Sequence, residues 1–166
     1  ETMAGVADTD RSWVSCRRMI PPTVAILAMV FWARHSDRTL ERTWHVVGPC
    51  LLASAGLAFA GNAVGVVAVV LALTIVNIGI SSAKPPLWSM PTMFLSGSAA
   101  AAGIATINSI GNLGGFVGPF MIGWIKDLTG SFTGGLYFVA GLLILSAVLT
   151  LIIAGVRRRA TEAAVS

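Results

Sequence analysis

Lys84 is the single Lys, Arg, Asp or Glu between Arg42 and Lys126. Uncharged runs at 46–83 and 85–125 flank it, so its ammonium lies deep in apolar sequence. A charge inside a membrane is costly and usually faces a cavity or a partner. Lys84 could therefore draw an anion into such a cavity; the plainer alternative is a lysine that snorkels to water or marks a helix end. Trp88 follows four residues on and shares a helix face with it, with Ser89 beside it. Trp88 either walls a cavity or packs as any bulky side chain does. Asn108 and Asn112 are also four apart. Amides in hydrocarbon need partners, so this pair either donates to a carboxylate or hydroxyl of a ligand or ties neighbouring helices together.

A second group is W-A-R-H-S-D-R-x-x-E-R, residues 32–42. Asp37 can accept charge-assisted hydrogen bonds from arginines or from helix N-termini. Asp37, Arg38 and Arg42 thus form either a conformational latch or an ordinary basic membrane anchor. Gly111, Gly114, Gly115 and Gly118 make two overlapping G-x-x-x-G pairs, 111/115 and 114/118, which read as a helix-packing face. No G-K-[ST] follows them, so they are not a phosphate loop.

Absences narrow the chemistry. No Asp or Glu lies between Glu41 and Asp127, so this stretch offers no embedded carboxylate for proton coupling. There is no H-E-x-x-H and no hydrolase triad pattern, and His35 and His45 stand at the ends of apolar runs. Cys16 and Cys50 make no C-x-x-C pair. The reading is no enzyme, no metal and no cofactor. Nucleic acid is excluded as a partner, because the basic residues flank apolar runs and form no aromatic-interleaved patch.

The elements that must hold these residues are membrane helices. Of 166 residues, 55% are hydrophobic and 11% charged, with net charge +4 and mean hydropathy +0.83. A soluble domain carries about 25% charged residues. Residues 128–156 form a third uncharged run, and a crossing helix needs about 20 apolar residues. The chain reads as an all-α polytopic membrane protein of about five transmembrane helices. An atypical polar segment, 1–19, comes first; it lacks the basic start, apolar stretch and cleavage site of a signal peptide. Spans are expected at about 20–34, 45–61, 64–95, 99–125 and 133–156 within a domain over 20–159, with a tail at 160–166. Between the first two lies a compact polar loop, Arg34–Arg42. The third span is read as one long kinked helix through Pro85, Pro86 and Pro91; the rival is a helix to Ala83 followed by a re-entrant stretch. Arg34, Arg38, Arg42 and Arg157–Arg159 lie on one side, against Lys126 with Arg17 and Arg18 on the other. The positive-inside rule then puts the C-terminus in the cytoplasm.

Ser36-Asp37-Arg38 with Arg42 resembles the cytoplasmic loop motif between the eighth and ninth helices of major facilitator superfamily transporters. Ala99–Pro119, followed by Gly123-Trp124-Ile125-Lys126-Asp127 and Thr129-Gly130-Ser131, is similar to the eleventh helix of the anion:cation symporter subfamily. Pro86-Leu87-Trp88-Ser89-Met90-Pro91 resembles the proline-aromatic stretch of its tenth helix. That subfamily includes tartrate-like and phthalate-like organic-anion permeases. The resemblance covers about 20–159 and fails over 1–18. It implies a C-terminal half-bundle, matching the eighth to twelfth helices of a twelve-helix fold whose substrate site lies between two halves.

What the resemblance implies is transport of a small organic anion, cation-coupled, with a proton favoured. Lys84, Trp88, Ser89, Asn108 and Asn112 would line this chain's share of the site. The other implied partners are the lipid bilayer, a bacterial inner membrane, and an N-terminal transporter half. The alternative is a truncated, non-transporting fragment or a subunit that depends on a partner.

Overall fold

The computed structural model describes residues 22–92 and 96–165. The expected polar segment 1–19 and the expected end of the third span at Leu95 lie outside the described residues. Five helices occupy nearly all the rest: α1 (22–39), α2 (Arg42–Asn62), α3 (Val66–Thr92), α4 (Gly97–Thr129) and α5 (Thr133–Val165). Among the described residues, α2, α3 over Val66–Pro91 and α5 over Thr133–Val156 are long and apolar enough to cross a membrane. α1 carries Arg34, Asp37 and Arg38 in its last turns, and α4 is diluted by glycine, serine and asparagine.

The expected loop over Arg34–Arg42 is mostly helix. α1 continues to Thr39, and only Leu40 and Glu41 separate it from α2. Arg, His, Ser and Asp contain no helix breaker, and the Thr39 hydroxyl donates to the His35 carbonyl at 3.0 Å. The break comes where Leu40 takes φ 55°, a left-handed conformation that costs a non-glycine residue of order 1–2 kcal/mol. α3 runs unbroken through Pro85, Pro86 and Pro91, so the re-entrant alternative is not what forms. α4 extends past Ile125 until Gly130, at φ 71°, donates its N–H to the Lys126 carbonyl at 2.7 Å. That left-handed glycine cap is the usual way to end a helix. α5 carries the arginine run at 157–159 as helix.

α2 is the centre of the bundle and packs on α3 and α5. Val46, Val47 and Cys50 of α2 meet Ala83 of α3 and Ala147 of α5; further along, Leu57 meets Val76 and Ala140. Small residues bring α2 and α3 together. A Cβ built on Gly79 would stand 2.6 Å from the Pro49 carbonyl oxygen and 2.8 Å from the Ala53 Cβ. One on Gly56 would stand 2.9 Å from Val76 Cγ2. With no hydrophobic drive between helices in lipid, such close backbone contact is what holds them. Polar ties add to the α2–α5 seam: Ser54 Oγ donates to the Ala140 carbonyl at 3.1 Å, and Asn62 Nδ2 to the Tyr137 hydroxyl at 2.6 Å.

α4 stands apart. It contacts α5 and, more thinly, α3, and it contains no buried residue.

Candidate functional site

Lys84 and Trp88 lie on the exposed side of α3, with Trp88 39% exposed. The same face continues toward the other end of the helix. Thr74, Asn77, Ser81, Lys84 and Trp88 recur at steps of three and four, and none of them is buried. This is a polar stripe along a mostly apolar helix, the pattern expected of a wall that meets water or solute. Sequence reasoning took Lys84 and Trp88 but passed over Thr74, Asn77 and Ser81; their spacing from Lys84 was the available signal. Thr74 and Asn77 donate to the carbonyls of Val70 and Leu73 one turn back. Ser89 lies off the stripe, partly buried, and its hydroxyl donates to the Pro86 carbonyl at 2.9 Å.

Asn108 and Asn112 are exposed on α4. Gly111, Gly114, Gly115 and Gly118 accompany them, and a Cβ on any of the four meets nothing within 4 Å. The closest glycine contacts between helices are made elsewhere, at Gly56 and Gly79 as above and at Gly134 and Gly135, whose added Cβ atoms would each stand 2.9 Å from α4, at Ile125 Cγ2 and Ile122 Cγ2.

At the α1–α2 corner, Arg42 Nη1 lies 2.5 Å from Asp37 Oδ1 and 3.5 Å from the buried Ser36 hydroxyl. Asp37 belongs to the end of α1 and Arg42 to the start of α2, so the pair staples the two across Leu40. Arg38, the third expected member, is exposed. Behind the pair is a ring cluster. Trp32 lies 5.2 Å from His45 between centroids, and His45 lies 5.1 Å from His35. The Trp32 indole N–H donates to the His45 carbonyl at 3.0 Å, and the His45 Nδ1 contacts the Glu41 carbonyl. Proline at 49 has no N–H to offer the carbonyl four residues back. That carbonyl is His45's, and Trp32 satisfies it.

One cavity of about 330 Å³ opens at this same end of the bundle. Thr43 of α2, Leu87, Trp88 and Pro91 of α3, and Ile107 of α4 line part of it. Thr150, Ile153 and Ala154 of α5 complete that side. Of the five residues expected to bind a ligand, Trp88 borders this cavity; Lys84, Ser89, Asn108 and Asn112 do not. Among the described residues no three His, Cys, Asp or Glu side chains gather as metal ligands would.

The chain is 76% identical over 86% of its length to an Agrobacterium vitis protein named "Putative tartrate transporter", and covers 32% of that protein. It is 37% identical over 86% of its length to a quinolone resistance transporter of Acinetobacter baumannii, covering 33%. It is 34% identical over 78% of its length to the inner membrane transport protein RhmT of Escherichia coli, covering 30%. Its relatives are named transporters. The chain spans about a third of the length of the curated relatives it matches. No protein-family model matches it, and no solved structure does. Three membrane-length apolar helices and these relatives together point to a membrane protein.

Proposed function

We propose that this chain forms part of a transporter for a small organic anion, of the major facilitator type and its anion:cation symporter subfamily. The observation that carries the reading is Lys84, an exposed ammonium in the polar stripe of an apolar helix. A lone cation there attracts a carboxylate, and the tartrate named for the 76% identical relative is a dicarboxylate in chemistry. In this reading Lys84 holds the carboxylate, Trp88 walls the site, and Asn108 and Asn112 donate hydrogen bonds to substrate oxygens. Ser89 takes a lesser part, since its hydroxyl already serves its own helix. Asp37, Arg38 and Arg42 act as the latch at the cytoplasmic end, with the C-terminus inside and all five helices spanning the bacterial inner membrane. A proton is the coupling cation, and its carboxylate acceptor lies in the part of the transporter this chain does not span.

The bare face of α4 favours the partner-dependent alternative over transport by this chain alone. Gly111, Gly114, Gly115 and Gly118 meet no neighbour here, and in this reading they pack on helices of the N-terminal half. The test is a chimera in which this chain replaces the matching third of the Agrobacterium vitis relative. The chimera takes up labelled tartrate, a protonophore abolishes uptake, and the chain alone gives none. Undiminished uptake by the Lys84→Gln chimera would overturn the site.

A further inference from the structure

The cavity beside Trp88 is lined by none of Lys84, Asn108 and Asn112. A second hollow of about 150 Å³ shares Thr43 and Ala154 with it and is also lined by Trp44 and Leu151. The two form one slot along the α2–α5 seam. Its outer walls are open: Trp44 is 56% exposed and Leu151 39%. The lining is almost wholly apolar, and the Thr150 hydroxyl donates to the Ser146 carbonyl at 2.8 Å. Water needs two to four polar partners to be held in a cavity, and this lining suits hydrocarbon better.

Depth and charge say which hydrocarbon. At 1.5 Å per residue, Ile107 lies about 15 Å into α4 from Gly97, close to the half-thickness of a bilayer core. Ala154 lies three residues, or about 4.5 Å of helix, before the run Arg157-Arg158-Arg159. Arg34, Arg38 and Arg42 belong to the same end, since Arg42 directly precedes Thr43. The acids there are Asp37, which pairs with Arg42, Glu41, which is partnered, and Glu162 beyond the arginine run. Basic excess remains at headgroup level, beside the apolar slot. Basic pockets between membrane helices recognise anionic headgroups.

We infer that this slot binds an anionic phospholipid, with one acyl chain between α2 and α5 and the phosphate at the basic end of the bundle. The inference rests on placement in a membrane and not on the transport reading, and its test needs no transport. The full chain is reconstituted with equal phosphatidylglycerol and phosphatidylcholine, purified in mild detergent, and its retained lipid is counted by native mass spectrometry. One phosphatidylglycerol per chain is expected, favoured about tenfold over phosphatidylcholine, the ratio that 1.4 kcal/mol of preference produces. Ala154→Phe fills the slot and lowers retention of both lipids. Replacing Arg157, Arg158 and Arg159 together by Gln, beyond the slot's last lining residue Gly155, leaves the slot intact and removes the preference. Equal retention of the two lipids by the unaltered chain overturns the inference. So does retention that survives Ala154→Phe in protein with unchanged helix content, or a preference that survives the arginine replacement.

Discussion

The indole of Trp32 holds the carbonyl of His45, the one main-chain acceptor in α2 that Pro49 leaves without its helical donor. A side chain of α1 thus repairs a defect in α2. An unmet carbonyl in an apolar setting costs about 1–3 kcal/mol, so the bond fixes how α1 sits against α2. Trp32→Phe keeps the ring and deletes the donor. It should lower stability in detergent by about 1 kcal/mol. In a Pro49→Ala background the amide returns and the cost of Trp32→Phe should fall toward zero. A double-mutant cycle read by thermal unfolding checks this; an unchanged cost in both backgrounds refutes it.

Glycines on α3 and α4 should behave oppositely. Gly79→Ala forces a methyl to within 2.6 Å of the Pro49 carbonyl oxygen, and overpacking of this kind costs about 1–3 kcal/mol. Gly115→Ala meets nothing among the described residues and should leave the chain's stability unchanged. In the chimera with the Agrobacterium vitis relative, Gly115→Leu should lower uptake severely. Equal stability losses for Gly79→Ala and Gly115→Ala in the chain alone would contradict the packing described.

The Asp37–Arg42 pair should matter for movement more than for folding. Asp37 is 65% exposed at its side chain, and exposed ion pairs contribute about 0–1 kcal/mol. Asp37→Asn should therefore change the melting temperature little and cut chimera uptake at least several-fold. The charge-reversed double variant, Asp37→Arg with Arg42→Asp, should recover part of the loss. Failure of the double variant to recover any uptake would reduce the pair to an anchor.

Lys84 is exposed and outside the packed clusters. Lys84→Gln should leave folding intact while uptake falls more than tenfold, the consequence of losing about 1.4 kcal/mol or more of binding. Lys84→Arg should retain partial uptake, because the charge survives and the geometry changes. Binding of a labelled dicarboxylate separates loss of affinity from loss of movement.

Topology is open to direct measurement. Single cysteines at Leu40, Ser98 and Arg159 should share one side of the membrane, and those at Val64 and Ser131 the other. The background replaces Cys16 and Cys50. Labelling of intact cells with an impermeant maleimide should reach only the second set if the C-terminus is cytoplasmic, and labelling of the first set reverses the orientation.

Much of the scaffold was legible because long uncharged runs leave few alternatives to helices in lipid. The α1–α2 corner was not, since a dense charge cluster resembles a loop and only the left-handed Leu40 betrays the break. The Trp32–His45 bond joins residues thirteen apart, and no local pattern announces it. Glycine pairs in α4 gave a strong packing motif, whereas Gly56 and Gly79 belong to no such pair and yet make the close α2–α3 contacts. Lys84 stood out by being alone. Thr74, Asn77 and Ser81 did not, because uncharged polar residues are common in membrane helices and acquire meaning only from their shared face.

A helix that buries nothing has a life in the cell as well as a place in a fold. α4 leaves Asn108 and Asn112 exposed and gives its glycines no neighbour among the described residues, and an amide in hydrocarbon without a partner is costly. Cells clear marginally stable chains by proteolysis. The abundance of this polypeptide should therefore track the supply of whatever covers α4, falling when it is made alone and rising when the complementary helices are made beside it.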